Sequence, residues 1–273
     1  MRQRFSPARL LASASLVALV AMSLGGCAAM SKLSDVTGSI GSRADAAPAA
    51  PTDPARAVEV YGERYRANPK DAEAAVGYGQ ALRANGQRAQ AVAVLEQATI
   101  ANPGNKPLLA QYGRALADNG NFQQAFDVLS KAHSPDNPDW RLLSVQGTAL
   151  DQMGRHDEAR SYYTSALKIA PGDPGVLSNI GLSYMLSRDL PKAEEALRQA
   201  YASPRASSRV RQNLGLVVGL QGRFPEAETI VKADLPPDQA AANVAYLKEM
   251  LSRNEAPRGA PKRTPVASLS QPD

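Results

Sequence analysis

Few side chains in this 273-residue sequence could do chemistry. There are two histidines, His133 and His156, and one cysteine, Cys27. A histidine could act as general acid, general base or metal ligand. Neither has an evident base or second ligand in register, so packing at a turn or helix end suits both better than catalysis. The acidic pairs Asp157-Glu158 and Glu194-Glu195 could in principle form acid/base dyads. They fall early in a segment of helical pattern, where negative charge complements the helix N-terminus, and they are expected to be solvated helix starts. No HExxH zinc pair, phosphate-cradling glycine loop or GxSxG nucleophile turn occurs. No catalytic, metal-binding or cofactor-binding residue is therefore expected, and the chain is read as a non-enzyme.

What the sequence does contain is periodicity. Gly79, Gly113, Gly147, Gly181 and Gly215 recur every 34 residues, and so do Ala91, Ala125, Ala159, Ala193 and Ala227. A third small series, Ala98, Ala132, Ala166 and Ala200, shares the spacing. Larger apolar residues fill the gaps, among them Leu82, Leu116 and Leu150. Gly86, Gly120, Gly154 and Gly222 punctuate each unit midway, where a helix would end in a left-handed residue; Arg188 replaces Gly in the fourth copy, which suggests a different turn there. Two helices per unit of about 34 residues are the signature of a tetratricopeptide (TPR) repeat. The expected fold is all-α, a TPR α-solenoid: a right-handed superhelix of helix hairpins with capping helices and disordered termini. The glycine of each first helix is expected to face the alanine of its partner, since close-packed interiors leave no room for more. One hairpin cannot bury its apolar face alone, whereas stacked neighbours can.

In chain order, residues 1–26 read as a signal peptide, with Arg2, Arg4 and Arg9 ahead of an apolar run too short to span a membrane comfortably. Leu24-Gly25-Gly26-Cys27 resembles the lipobox of bacterial lipoprotein precursors, which makes Cys27 the expected lipidation site and a lipid anchor the expected tie to the membrane. Ala28 after the cysteine implies, by that resemblance, sorting to the outer membrane. Residues 27–53 read as an Ala/Ser/Gly/Pro linker that cannot bury enough surface to order itself. Residues 54–71 should be an N-terminal capping helix or half repeat, and residues 72–241 five repeats starting near Ala72, Lys106, Trp140, Pro174 and Ser208. Residues 242–253 should form a C-terminal capping helix, with Asp238 as N-cap and Ala241, Val244, Leu247 or Lys248, and Leu251 inward, and residues 254–273 a disordered tail. Three of the net positive charges belong to the leader, so the formal +5 shrinks in the mature protein. With no basic stripe carrying interleaved aromatics, nucleic acid is not an expected partner.

The informative surface is the inner face of the first helices. Aligned repeats line it with Arg83, Arg114 and Asp118, then Arg141, Ser144, Thr148, Asp151 and Gln152, then Ser178, Leu182, Met185, Gln212 and Leu216. It runs from polar to apolar and suits an amphipathic protein or peptide segment, unless the apolar end packs on the capping helix. Asn179 and Asn213 share a register and could hold a partner's backbone. They resemble one element of a carboxylate clamp, but its basic residues are not in place. The expected partner-binding residues are thus Arg114, Thr148, Gln152, Asn179, Leu182, Met185, Gln212, Asn213 and Leu216. Oligomeric state is left open.

The combination resembles the TPR lipoprotein of the tight-adherence (Tad/Flp) pilus apparatus, the TadD-like proteins. The resemblance rests on Leu24 to Cys27, Leu150 to Gly154, Leu177 to Tyr184, Arg209 to Gly215 through Gly222-Arg223, and Asn243 to Leu247. It implies a role in Flp-type pilus assembly, with an outer-membrane secretin or another assembly component as partner and repeats facing the periplasm. The other reading is a general envelope scaffold for outer-membrane protein or polysaccharide assembly.

Overall fold

The computed structural model describes residues 53–134 and 136–255. The signal peptide, Cys27, almost all of the linker and most of the C-terminal tail lie outside them. The described residues form twelve helices in sequence: α1 (Pro54–Ala67), α2 (Ala72–Ala84), α3 (Arg88–Ala101), α4 (Lys106–Asp118), α5 (Phe122–Ala132), α6 (Trp140–Gln152), α7 (His156–Ile169), α8 (Pro174–Leu186), α9 (Leu190–Tyr201), α10 (Ser208–Leu220), α11 (Phe224–Val231) and α12 (Pro237–Glu255). Helices α2 to α11 form five hairpins. Each packs on its own partner and on the next hairpin, and each first helix also touches the first helix of the following hairpin. The result is an α-solenoid.

Local chemistry starts each hairpin. Asp71, Asn105, Asp139 and Asp173 cap α2, α4, α6 and α8 by accepting backbone N–H bonds from the first turn, at 2.8 Å for Asp71 and Asp139. Ser207 stands at the same register before α10 without a side-chain bond. Such a cap contributes about 1 kcal/mol. The turn inside each hairpin uses a left-handed residue. Gly154 has φ +77°, and Arg188 adopts the same conformation at φ +65°. The fourth turn therefore keeps the geometry of the others despite losing its glycine, and Arg188 bears the strain of a β-carbon in that region.

The helix pairs approach closely, but the residue opposite each glycine is not the one expected. A β-carbon on Gly147 would lie 2.5 Å from the Tyr163 ring, and one on Gly113 or Gly181 would lie 2.5 Å from Leu129 or Leu197. Each of these large residues follows the helix's recurring alanine by one turn, so the glycine makes room for a bulky side chain. The alanines contribute backbone instead: the carbonyls of Ala193 and Ala227 would be 3.0 and 3.4 Å from such a β-carbon on Gly181 and Gly215. The alanine side chains are themselves buried, Ala91, Ala125, Ala159 and Ala193 completely.

The C-terminal boundary also differs. Helix α12 is continuous from Pro237, so a division at residues 241 and 242 falls inside it, and Asp238 sits in its first turn instead of capping it. Ala240, not Ala241, points into the core, with Val244, Leu247 and Leu251 half-buried. A β-carbon on Gly219 would meet Leu247 at 2.5 Å, so α12 closes tightly over α10.

Candidate partner-binding face

The first helices place equivalent side chains in columns, because successive repeats differ by one constant step. Gln80, Arg114, Thr148, Leu182 and Leu216 occupy one column. Gln80 is exposed and the other four are half-buried. None of the four belongs to a buried core cluster. Met185 does pack against one, beside Leu197, Leu214 and Val217. Gln152 is exposed and Gln212 half-buried. The apolar end of the face is thus divided: Met185 is drawn toward the core, while Leu182 and Leu216 keep part of their surface free.

Asn179 and Asn213 each bond back to the preceding first helix. The Asn179 side-chain amide donates to Ser144 Oγ at 3.0 Å, and Asn213 repeats the bond to Ser178 Oγ at the same distance. Asn213 is only 4% exposed. Their amide nitrogens link one first helix to the next, and Asn213 offers no open surface to a partner. Arg83 forms a similar link, donating to Asp118 at 2.6 Å and to Gln111 at 3.3 Å.

At the centre of the stack lies a buried polar cluster. Asp151 is 6% exposed. Its carboxylate accepts from Tyr163 Oη at 2.8 Å, from Ser183 Oγ at 2.8 Å and from His156 Nδ1 at 2.9 Å. His156 therefore has a carboxylate partner, contrary to expectation, and the five-residue separation across the α6–α7 turn is the signal that could have found it. Burial, reinforced by the Asp151 charge, pushes the Tyr163 phenol far above its usual range. Serine, aspartate and histidine meet here without forming a nucleophilic triad. Ser183 bonds to the carboxylate and not to the imidazole, and it is fully buried, whereas nucleophilic catalysis needs the base against the hydroxyl. The cluster joins α6, α7 and α8. His133 likewise faces Gln146 Oε1 at 3.0 Å, and Gln146 in turn donates to Ser130. These residues line a cleft of about 450 Å³ beside the irregular α5–α6 connection.

Of the acidic pairs, Asp157, Glu158 and Glu195 are exposed, as expected of helix starts, and Glu194 alone is drawn out of solvent. Glu194 accepts from Gln221 at 2.8 Å, pairs with Arg223 at 2.7 Å and with Arg198 at 2.6 Å, and its side chain is 13% exposed. Burial alone would raise its pKa; the hydrogen bonds from Arg223, Arg198 and Gln221 outweigh that and hold it below the usual carboxylate range. Glu158 bonds to Arg155 and remains exposed. Among the described residues no group of three potential ligands could hold a metal ion, and no helix is long and apolar enough to cross a membrane.

Comparison with known proteins gives a consistent account of the fold. Two family models, both described as tetratricopeptide repeat, match residues 49–114 and 150–214 and residues 113–174. Curated protein sequences give no match. Among solved structures, a tetratricopeptide repeat protein from Parabacteroides merdae has a TM-score of 0.60 at 14% identity, over 73% of this chain and 77% of that one. A thermophilic TPR protein from Thermus thermophilus has a TM-score of 0.57 at 21% identity, over 66% of this chain and 100% of that one. A chain of the APC/C hetero-tetramer Cut9-Hcn1 has a TM-score of 0.57 at 16% identity over 72% of this chain, which spans only 40% of its length. At such identities the likeness is one of fold alone.

Proposed function

Because the chain belongs to the tetratricopeptide-repeat family, a family of protein-interaction scaffolds, we propose that it is a lipid-anchored scaffold of the bacterial envelope that assists Flp/Tad-type pilus assembly by binding or localising the outer-membrane secretin. The observation that carries the scaffold reading is the inner column of Arg114, Thr148, Leu182 and Leu216. These side chains are half-buried in consecutive first helices, outside the core clusters. They form a wall that grades from basic through small and polar to apolar, which suits an extended amphipathic segment. The lipid anchor is supported by Cys27 directly after Leu24-Gly25-Gly26. The pilus role is supported by the resemblance carried by Leu150 to Gly154, Leu177 to Tyr184 and Arg209 to Gly215.

A photoreactive residue at Thr148, used in intact cells, tests the reading. The expected product is a crosslink to a secretin or another pilus-assembly protein. A crosslink to outer-membrane protein or polysaccharide assembly factors would move the protein to a general envelope role, and no crosslink would remove the inner face as the binding site. Cys27→Ser should abolish palmitate labelling and release the protein from the membrane fraction; normal labelling would refute the anchor.

A further inference from the structure

Arginine pairing is uneven along the stack. Among the described residues, the arginines drawn partly out of solvent are Arg83, Arg114, Arg160, Arg211 and Arg223. Arg83 is ion-paired with Asp118, Arg160 with Asp157, Arg211 with Asp234 and Arg223 with Glu194. Arg114 alone among these makes neither an ion pair nor a side-chain hydrogen bond to a described residue. Its nearest potential partner on its own helix, Asp118, is held by Arg83 at 2.6 Å. Arg141, at the start of α6, adds a second positive charge, with its guanidinium 4.5 Å above the Trp140 ring. Burial, with the Arg83 charge next, lowers the Arg114 pKa, and Asp139 and Asp118 only partly offset this. Since a guanidinium stays protonated in proteins, the charge persists, and its donors have no protein acceptor among the described residues. A desolvated cation is costly until an anion meets it.

We propose that Arg114 receives the side-chain carboxylate of an aspartate or glutamate on the partner segment lying along the inner face, an inference that rests on the scaffold reading above. The planar guanidinium fork matches a carboxylate with two parallel hydrogen bonds. The local charge count selects a monoanion. Arg83, Arg114 and Arg141 face Asp118 and Asp139, which leaves one positive charge in excess. A phosphate dianion would overshoot that excess and meet two carboxylates. Arg114 shares its column with Leu182 and Leu216, two and three repeats further on. The partner segment therefore carries its acidic residue toward the N-terminal end of the stack and its apolar residues toward the C-terminal end.

The test uses the full chain in detergent micelles and two fluorescent dodecapeptides. Both carry a Leu-Leu pair at one end of an Ala/Ser sequence, and they differ only in Glu or Gln near the other end. Anisotropy should show the Glu peptide bound roughly tenfold more tightly, as a charge-assisted pair would give. Arg114→Gln should abolish the difference, Arg114→Lys should retain part of it, and the Tm of Arg114→Gln should be no lower than that of the parent chain. Equal affinity for the two peptides, binding of neither, or a Tm loss showing that Arg114 serves the fold would each overturn the proposal. Displacement of the Glu peptide by inorganic phosphate at constant ionic strength would reassign the site to phosphate and also overturn it. The Thr148 crosslink does not depend on peptide acidity, so the scaffold reading is judged separately.

Discussion

Three donors converge on the Asp151 carboxylate, from Tyr163, Ser183 and His156. Removing the carboxylate leaves the Tyr163 and Ser183 hydroxyls only longer contacts at 3.4 Å, to Thr148 Oγ1 and to the His156 carbonyl, and the cost of a poorly satisfied buried group is about 1–3 kcal/mol. Asp151→Ala is therefore expected to destabilise the stack by about 3 kcal/mol, read from the urea midpoint with the slope unchanged; a loss below about 1 kcal/mol would show that the cluster is not holding α6, α7 and α8 together. Arg188 presents the opposite case. Its backbone has the left-handed φ that glycine adopts in the other four turns, and its exposed side chain makes no ion pair with a described residue. Arg188→Gly should stabilise by about 0.5–1 kcal/mol, seen as a raised midpoint in the same titration. The sequence marked Arg188 as the odd member of a series. It could not show that the turn geometry survives, because that depends on how strongly the flanking helices dictate the backbone. The partner of His156 and the burial of Asn213 escape the sequence for a related reason. A polar side chain's partner lies on another helix, and spacing along one helix does not reveal it.

At the scale of helices the sequence was far more informative. The 34-residue series of glycine and alanine marks hairpins because each position repeats one packing requirement, and the caps at Asp71, Asn105, Asp139 and Asp173 follow the same spacing. Which residue the glycine faces was not legible, since rotation about two helix axes decides between the alanine and the bulky residue one turn later. The C-terminal end is the least legible: repetition stops after Val231, and no neighbouring repeat fixes the register of α12. Between the fourth and fifth hairpins, Glu194 joins α9 to Arg223 and Gln221 at the next turn, while Arg198 bridges to Glu226 on α11 at 2.6 Å. The Glu194 pKa is depressed on folding, so its stabilisation is present above the unfolded value of about 4.3 and is lost as pH falls through and below it. Glu226 is lowered in the same direction by Arg198 and Arg223. Glu194→Gln should lower the Tm at pH 6 and make the fall in Tm between pH 6 and pH 3.5 shallower than in the parent. Parallel pH profiles for the two proteins would show that the bridge contributes nothing to the joint between the last hairpins.

Over the whole molecule, the solenoid resolves a conflict between packing and binding. An apolar residue on the inner face is useful to a partner only where the core has not already claimed it. Met185 is claimed by the cluster around Leu197 and Val217, and α12 covers α10 at Gly219 through Leu247. Leu182 stands on α8 three residues before Met185 and is half-buried like it, yet it lies outside that cluster. A charge at these two positions should consequently have different effects. Leu182→Asp removes a partly exposed apolar contact and places a carboxylate where water can reach it, so the folded stack should change by no more than about 0.5 kcal/mol. Capture of the partner through the Thr148 crosslink should fall at least severalfold, since the apolar end of the wall now presents an uncompensated charge to the docked segment. Met185→Asp buries that charge against the core and should lower the Tm as well as the capture. Measuring both quantities for both variants separates binding from folding. If Leu182→Asp leaves capture unchanged, the partner does not use the apolar end of this column; if it unfolds the stack as Met185→Asp does, Leu182 belongs to the core.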